Sequence, residues 1–243
     1  MNHDTIKPYD VAGEKKAQVT SMFDKIAPYY DFLNRLLTLR IDVLWRNKAI
    51  AKIRGYNTDT ILDVATGTAD LAISMSEKLD CKQVIGLDIS ANMLSIGNKK
   101  IDNKQLNNKV QLVLGDSENL PYDNETFTIT TSSFGVRNFE NLQKGLAEMY
   151  RVTQEKGHIM ILEFSRPRVF PIKNLFNIYF KYILPVIGKI TSKDPRAYQY
   201  LYESVQAFPD YERFVGILHE VGYKNGKYYP LTFGICTIYI AEK

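Results

Sequence analysis

Three features of the sequence predict an α/β domain built on an open, mostly parallel sheet. Short β-branched apolar runs alternate with segments of helical period. The first run ends in a Gly-containing turn that opens a helix. Apolar residues make up 45% of the 243 positions, enough for one full core. The junction at Thr60–Ala72 organises the rest. Thr60-Ile61-Leu62-Asp63-Val64-Ala65 reads as a buried strand, Thr66-Gly67-Thr68-Ala69-Asp70 breaks the pattern, and helical spacing starts at Leu71. Such a junction presents backbone N–H groups to a ligand. It is not the GxGxxG dinucleotide turn, because Ala65, Gly67 and Asp70 hold those positions, and no GK[ST] follows to make a P-loop. An acid inside the turn would repel a phosphate and suits a ligand with a positive centre.

Residues 1–18 are polar and are expected to form a mobile tail. Residues 19–54 are helical in period and rich in aromatics, with an interruption expected at Pro28 and an apolar face at Leu33, Leu36, Leu37 and Ile41. The plain reading is a helical layer on the sheet; the sharper one makes Phe23, Tyr29 and Tyr30 a lid that excludes water from bound ligands. A helix over Asp70–Leu79 follows the first strand. Gln83–Asp88 is a second buried strand ending in an acid, 25 residues after Asp63, where two ribose hydroxyls could be accepted. The plainer alternative for Asp88 is an ordinary strand-end acid. Ser90 caps a helix over Ala91–Asn98.

Val110–Leu114 is the third strand. After it, Asp116 is placed to accept from an adenine amino group and the Ser117 N–H to donate to a ring nitrogen. Phe127–Ser133 is the fourth strand, followed by Phe134-Gly135-Val136-Arg137-Asn138-Phe139. Ligands of open α/β sheets sit outside the carboxyl ends of the strands, so all these residues should converge on one crevice. Asn141–Val152 reads as an amphipathic helix, Glu155-Lys156-Gly157 as its exit turn, and His158–Phe164 as the fifth strand. Residues 166–209 interrupt the alternation with a helical insertion. Tyr211–Val221 is a helix, and Tyr223–Leu231 and Ile235–Glu242 form an antiparallel pair at one edge. The whole reads as one domain over 19–243, with a helical lid at 19–54 and a substrate cap at 166–209.

The order DVATGTAD, IGLD, GDSENLP, FTITTSSFGVRNF and MYRVTQEKGHIMILEF resembles the class I S-adenosylmethionine-dependent methyltransferases. Within these the chain looks like the C-methyltransferases of menaquinone and ubiquinone biosynthesis. The resemblance runs from Met22 to Lys243. Its more restrictive parts lie outside the cofactor motifs: MFDKIAPYYDFLN…WR, FGVRN, LEFSRP, YQYLYESVQAFP and LTFGICTIYIAEK. It implies a Rossmann-like, seven-stranded sheet with the last strand antiparallel, S-adenosylmethionine as co-substrate and no metal. By the motif match, Gly67 and Thr68 contact the methionine part, and Asp63 and Asp70 lie near the sulfonium. Asp88 takes the ribose, Asp116 and Ser117 take the adenine, and Ser133 borders the methionine. Two departures stand out. Ala69 replaces a glycine common in the family, which is tolerable if its φ is negative, and residues 152–157 lack a Pro-Gly-Gly turn.

The implied substrate is a reduced prenylated naphthoquinol or benzoquinol, methylated on a ring carbon beside a hydroxyl; analogy favours the demethylmenaquinol, giving menaquinol. Arg137 is the candidate to stabilise the phenolate, the plainer reading being an ion pair to a nearby acid. Asn138 would orient the ring or a water, and Tyr30 and Tyr198 would contact the quinol oxygens. His3, His158 and His219 read as structural. The stretch Val169–Ile190 is aromatic and apolar with Lys173, Lys181 and Lys189 interspersed. It suits either an interfacial helix on anionic lipid or a cap over the sheet, while Pro185 and Gly188 weigh against a membrane-spanning helix.

Composition limits the remaining classes. A net charge of +4 with scattered lysines does not indicate nucleic acid. Cys81 and Cys236 suggest neither a disulfide framework nor a metal site, which fits a reducing compartment. Without a signal-peptide pattern or a spanning run, the expected location is cytoplasmic, with peripheral contact at the inner face of the membrane left open. A homodimer also stays open. Three rival readings are a class I methyltransferase of another small molecule or of RNA, a non-catalytic scaffold, and a dinucleotide oxidoreductase. The intact acidic turn argues against the second, and the missing pyrophosphate turn against the third.

Overall fold

The computed structural model describes residues 3–9, 12–183 and 195–243. Two helices come first, α1 (Lys15–Leu37) and α2 (Ile41–Ile53). Then strands and helices alternate: β1 (Thr60–Val64), α3 (Asp70–Lys78), β2 (Gln83–Asp88), α4 (Ala91–Asn103), β3 (Val110–Leu114), β4 (Phe127–Ser133), α5 (Leu142–Val152) and β5 (Thr153–Phe164). The insertion holds α6 (Ile172–Ile178), a π-helical turn at Tyr179–Ile183, and α7 (Pro195–Ala207). The chain closes with α8 (Glu212–Val221), β6 (Lys224–Leu231) and β7 (Cys236–Glu242).

The strand order is β3-β2-β1-β4-β5-β7-β6. The first five strands are parallel. β7 runs antiparallel to both β5 and β6, which puts the expected final pair at one edge of the sheet. The order reverses between β1 and β4, and ligand crevices of open sheets form at such a reversal. Side chains from α2 and α3, among them Trp45, Ile50, Ile53 and Met75, pack on one face of the sheet. Leu146, Met149, Phe214 and Leu218 from α5 and α8 pack on the other. A third cluster lies away from both faces. In it α1 meets the insertion through Met22, Leu33, Phe176, Phe180, Tyr198 and Tyr200.

Several elements differ from the sequence expectation, each for a physical reason. α1 runs unbroken through Pro28. A proline removes the hydrogen bond to the carbonyl four residues back, and here that carbonyl, of Asp24, accepts instead from Asn92 Nδ2 at 3.3 Å. The segment expected to be a mobile tail is packed where it is described. His3 is buried edge-on against Phe208, its Nε2 contacts the Arg137 carbonyl oxygen at 2.5 Å, and Lys15 Nζ donates to the His3 carbonyl. Burial lowers the His3 pKa and brings that of Lys15 to about 8. α4 extends to Asn103 because Ile101 is a core residue. The exit turn expected at 155–157 is strand instead: β5 starts at Thr153 and takes up the slack in an irregularity between the Phe127 and Ile129 pairings, with Lys156 at φ +61°.

The side chains of Leu36, Leu37 and Ile183 lie outside the described residues, as do Leu184, Pro185, Val186, Ile187, Gly188 and Lys189 from the stretch read as a lipid-facing or capping helix. No described helix is long and apolar enough to cross a membrane.

Candidate active site

The turn after β1 is built from left-handed residues at every second position: φ is +56° at Ala65, +57° at Gly67 and +65° at Ala69. Ala69 therefore does not have the negative φ on which its tolerance was argued; it occupies a conformation that disfavours any Cβ by roughly 1–2 kcal/mol. The turn holds it there through Ala69 N–H donating to the Thr66 carbonyl at 3.0 Å. Gly67 has no atom within 4 Å of where a Cβ would stand, so that side of the turn is free for a ligand. Gly135, after β4, is the reverse case: a Cβ there would lie 2.6 Å from Ala65 Cβ, so only glycine lets the β4 loop close against the turn.

Asp63 is 1% exposed. Its two oxygens accept from Thr66 Oγ1 and from Thr131 Oγ1, each at 2.7 Å, which ties the turn to β4. Burial pushes its carboxyl up to about 6. Asp88 accepts the Gly67 N–H at 2.7 Å and the Ser90 N–H at 2.9 Å, so it fixes the turn and the start of α4 together; burial raises its pKa as well. Burial also acts upward on Asp70, but the charges of Lys100 and Arg46 outweigh it and hold that carboxyl below its ordinary range.

Asp63, Gly67, Thr68, Asp88, Asp116, Ser117 and Ser133 all line one cavity, as the sequence reading required. α1 lies across it. Lys16 Nζ donates to Asp116 Oδ2 at 2.7 Å, the carboxylate expected to take an adenine amino group. Ser90 Oγ donates to Asp24 at 2.6 Å. Thr68 Oγ1 donates to Asp31 at 2.6 Å and accepts from Lys100, which also pairs with Asp31 and Asp70. Of the expected lid aromatics, Phe23 and Tyr30 line the cavity and meet edge to face at 6.0 Å. Tyr29 does not: it is 51% exposed, because a helix turns about 100° per residue and carries it off the inner face.

A second cavity of about 450 Å³ adjoins the first. Phe23, Tyr30, Asn34, Arg46, Phe134 and Asn138 line both. Its other walls are apolar, from α1, α6, α7 and the β6–β7 connection, and Tyr198, Tyr200 and Arg137 reach it. Arg137 is 6% exposed and is paired to an acid: Nη1 donates to Glu163 Oε1 at 2.8 Å and to the Phe134 carbonyl. Glu163 is fully buried, which raises its pKa. Three buried polar atoms at this cavity have no partner: Arg137 Nε, Asn138 Oδ1 and Tyr200 Oη. Ser133 Oγ, at the first cavity, is likewise unpaired. An unmet buried donor or acceptor costs roughly 1–3 kcal/mol, and all four atoms are sealed from solvent in this conformation, so a ligand meets them only if a neighbouring side chain shifts.

Sequence reasoning missed Lys16, Asp31 and Lys100, which come together only through the fold, and also Tyr200 and Glu163. Glu163 did carry a signal, since an acid closing the apolar run His158–Phe164 needs a buried partner. The acidic first cavity and the open face of Gly67 fit S-adenosylmethionine, a ligand with a cationic sulfur and polar ends. No cluster of three or more His, Cys, Asp or Glu among the described residues is arranged to hold a metal.

Comparison with known proteins agrees with this geometry. A structure titled as a SAM-dependent methyltransferase from Aquifex aeolicus superposes with a TM-score of 0.60 at 17% identity, covering 95% of this chain and 99% of its own. That likeness shows the fold. A Bacteroides fragilis protein named demethylmenaquinone methyltransferase is 45% identical over the full length of both chains. A Geotalea daltonii protein named ubiquinone/menaquinone biosynthesis C-methyltransferase UbiE is 40% identical over 95% of this chain and 98% of its own. Residues 11–243 match the model of the ubiE/COQ5 methyltransferase family, and the chain belongs to that family.

Proposed function

We propose that this protein transfers a methyl group from S-adenosylmethionine to a ring carbon of a prenylated demethylmenaquinol, giving menaquinol. The observation that carries the reading is the pairing of cavities. A polar one suited to the cofactor shares a wall with an apolar one of about 450 Å³ whose lining residues Arg137, Asn138 and Tyr200 each carry a buried, unpaired hydrogen-bonding atom. A quinol ring with a long apolar tail needs that combination. The name of the Bacteroides fragilis relative supports the naphthoquinol.

In this reading Gly67, Thr68 and Ser133 hold the methionine part, Asp63 supports the sulfonium, Asp88 takes the ribose, and Asp116 with Ser117 the adenine. The cofactor, when bound, supplies an electrophilic methyl. The residues at the second cavity prepare the nucleophile. Loss of the phenolic proton puts carbanion character on the adjacent ring carbon, and loss of the ring proton after methylation restores aromaticity. The ion pair with Glu163 largely balances the charge of Arg137, so its help to the phenolate comes through the free Nε–H, a local donor in a dry site. Asn138 Oδ1 accepts from one ring hydroxyl and Tyr200 Oη donates to a ring oxygen, with Tyr30 and Tyr198 flanking them. Burial raises the Tyr30 and Tyr200 phenols, which keeps both protonated as donors.

The mouth of the apolar cavity has exposed Leu39, Leu175 and Phe233 on it, with Val169, Phe170, Ile178 and Tyr182 exposed nearby in the chain. We read this rim as the side that meets a lipid surface and admits the prenyl tail. The test is incubation with S-adenosylmethionine and reduced demethylmenaquinol, with and without lipid vesicles. A product heavier by one methylene supports the proposal. A demethylated methoxy-benzoquinol run alongside tests dual use, as the Geotalea name suggests for that protein. Unchanged quinol in both reactions would refute the substrate assignment.

A further inference from the structure

The first cavity is strongly acidic. Asp63, Asp70, Asp88, Asp116, Glu118 and Glu140 line it, against two cations, Lys16 and Arg46. Acids suit the sulfonium and the α-ammonium of S-adenosylmethionine. The same ligand carries an α-carboxylate, which those acids repel. Lys16 is committed to the far end, where it bridges Asp116 at 2.7 Å and Glu118 at 3.5 Å. Arg46 stands at the turn, with Nη2 3.2 Å from Asp70 Oδ2 at the start of α3.

The way Arg46 is held leaves it available. Its side chain is 10% exposed, and Asp42, one helical turn earlier on α2, takes the same Nη2 at 2.7 Å. Nε and Nη1 have no partner among the described residues, and neither is a sealed, unpaired atom, so both keep accessible surface. Arg46 is one of the six residues that line both cavities. Two acids thus fix Nη2 and leave the other N–H groups of a planar guanidinium, each able to give one charge-assisted hydrogen bond to a carboxylate.

We propose that Arg46 binds the α-carboxylate of the cofactor, with Asp42 and Asp70 as positioning residues that hold its guanidinium in place. The proposal rests on cofactor binding alone, so failure of the quinol assignment leaves it standing.

The test uses S-adenosylmethionine and its decarboxylated analogue, which differ in that carboxylate, titrated calorimetrically into the wild type, Arg46→Gln and Arg46→Lys. Circular-dichroism melting first establishes that each variant is folded. Arg46→Gln is expected to weaken S-adenosylmethionine roughly 10–100-fold, the worth of a charge-assisted contact, and the analogue less than about threefold. Arg46→Lys, which keeps the charge but not the planar head that two acids hold in place, should fall between. Equal weakening of both ligands would mean that Arg46 only braces α2 against α3, and unchanged affinity would mean that it takes no part; either result overturns the proposal. If Arg46→Gln does not fold, Arg46→Lys decides: a weakening confined to the carboxylate-bearing ligand supports the proposal, and its absence refutes it.

Discussion

The two adjoining cavities share six residues and differ in what else walls them. Beneath α1 and Arg46, the polar one is walled by the carboxyl ends of β1, β2, β3 and β4 and by the few residues after each, so most of its groups are placed by the sheet register. The apolar one adds side chains from α1, α2, the end of β5, α6, α7 and the β6–β7 connection, which meet mostly through packing. The difference teaches where function can be read from order alone. Strand ends fix a neighbour within a residue or two, whereas helices brought together by apolar contact leave their register to the fold.

The strongest test of this contrast is at Arg137. Arg137→Ala should abolish turnover, by at least about a hundredfold. It should also cost about 3–5 kcal/mol of stability, because it leaves Glu163 buried without its partner. Adding Glu163→Gln should restore most of the stability and none of the activity. Urea unfolding and the methylation assay separate the two; recovery of activity in the double variant would make the ion pair purely structural.

A smaller effect is expected from Asp63, in the polar cavity. Its folded pKa of about 6 lies above the ordinary value near 4. The folded state therefore binds more protons than the unfolded state between those values. The stability contributed at this position falls as pH rises from about 4 to about 6 and is level above that. Charge on Asp63 has the opposite sign of effect on the cofactor. Affinity for S-adenosylmethionine should drop as pH falls through about 6, while affinity for S-adenosylhomocysteine, which lacks the sulfonium, should drop less. Asp63→Asn should remove both dependences, as titration calorimetry across pH 5–8 would show.

Next comes Tyr200→Phe, which should lower kcat/KM about tenfold yet leave stability unchanged or raised by about 1 kcal/mol, since it deletes an unpaired hydroxyl. The least effect is expected at Ala69→Gly. Relief of the left-handed strain is offset by about 0.8 kcal/mol for a lost buried methyl group, so the net change in urea unfolding should stay within about 1 kcal/mol.

Legibility in the sequence follows the same division. The seven strands, the antiparallel final pair and the convergence of Asp63, Gly67, Asp88, Asp116, Ser117 and Ser133 could be read because β-branched runs and their terminal acids are local signals. The continuity of α1 could not, because the group that satisfies the carbonyl freed by Pro28 comes from Asn92 on another helix. Nor could the bridging of Asp116 by Lys16, 100 positions apart. The sign of φ at Ala69 is set by the turn as a whole, and alanine at that position gives no local hint of it.

α1 binds the two cavities into one unit. Phe23, Tyr30 and Asn34 belong to both cavities, so the same helix roofs donor and acceptor. That roof is tied down by Lys16 to Asp116, Asp24 to Ser90 and Asp31 to Thr68. A substitution that displaces α1 is therefore felt in both cavities rather than in one.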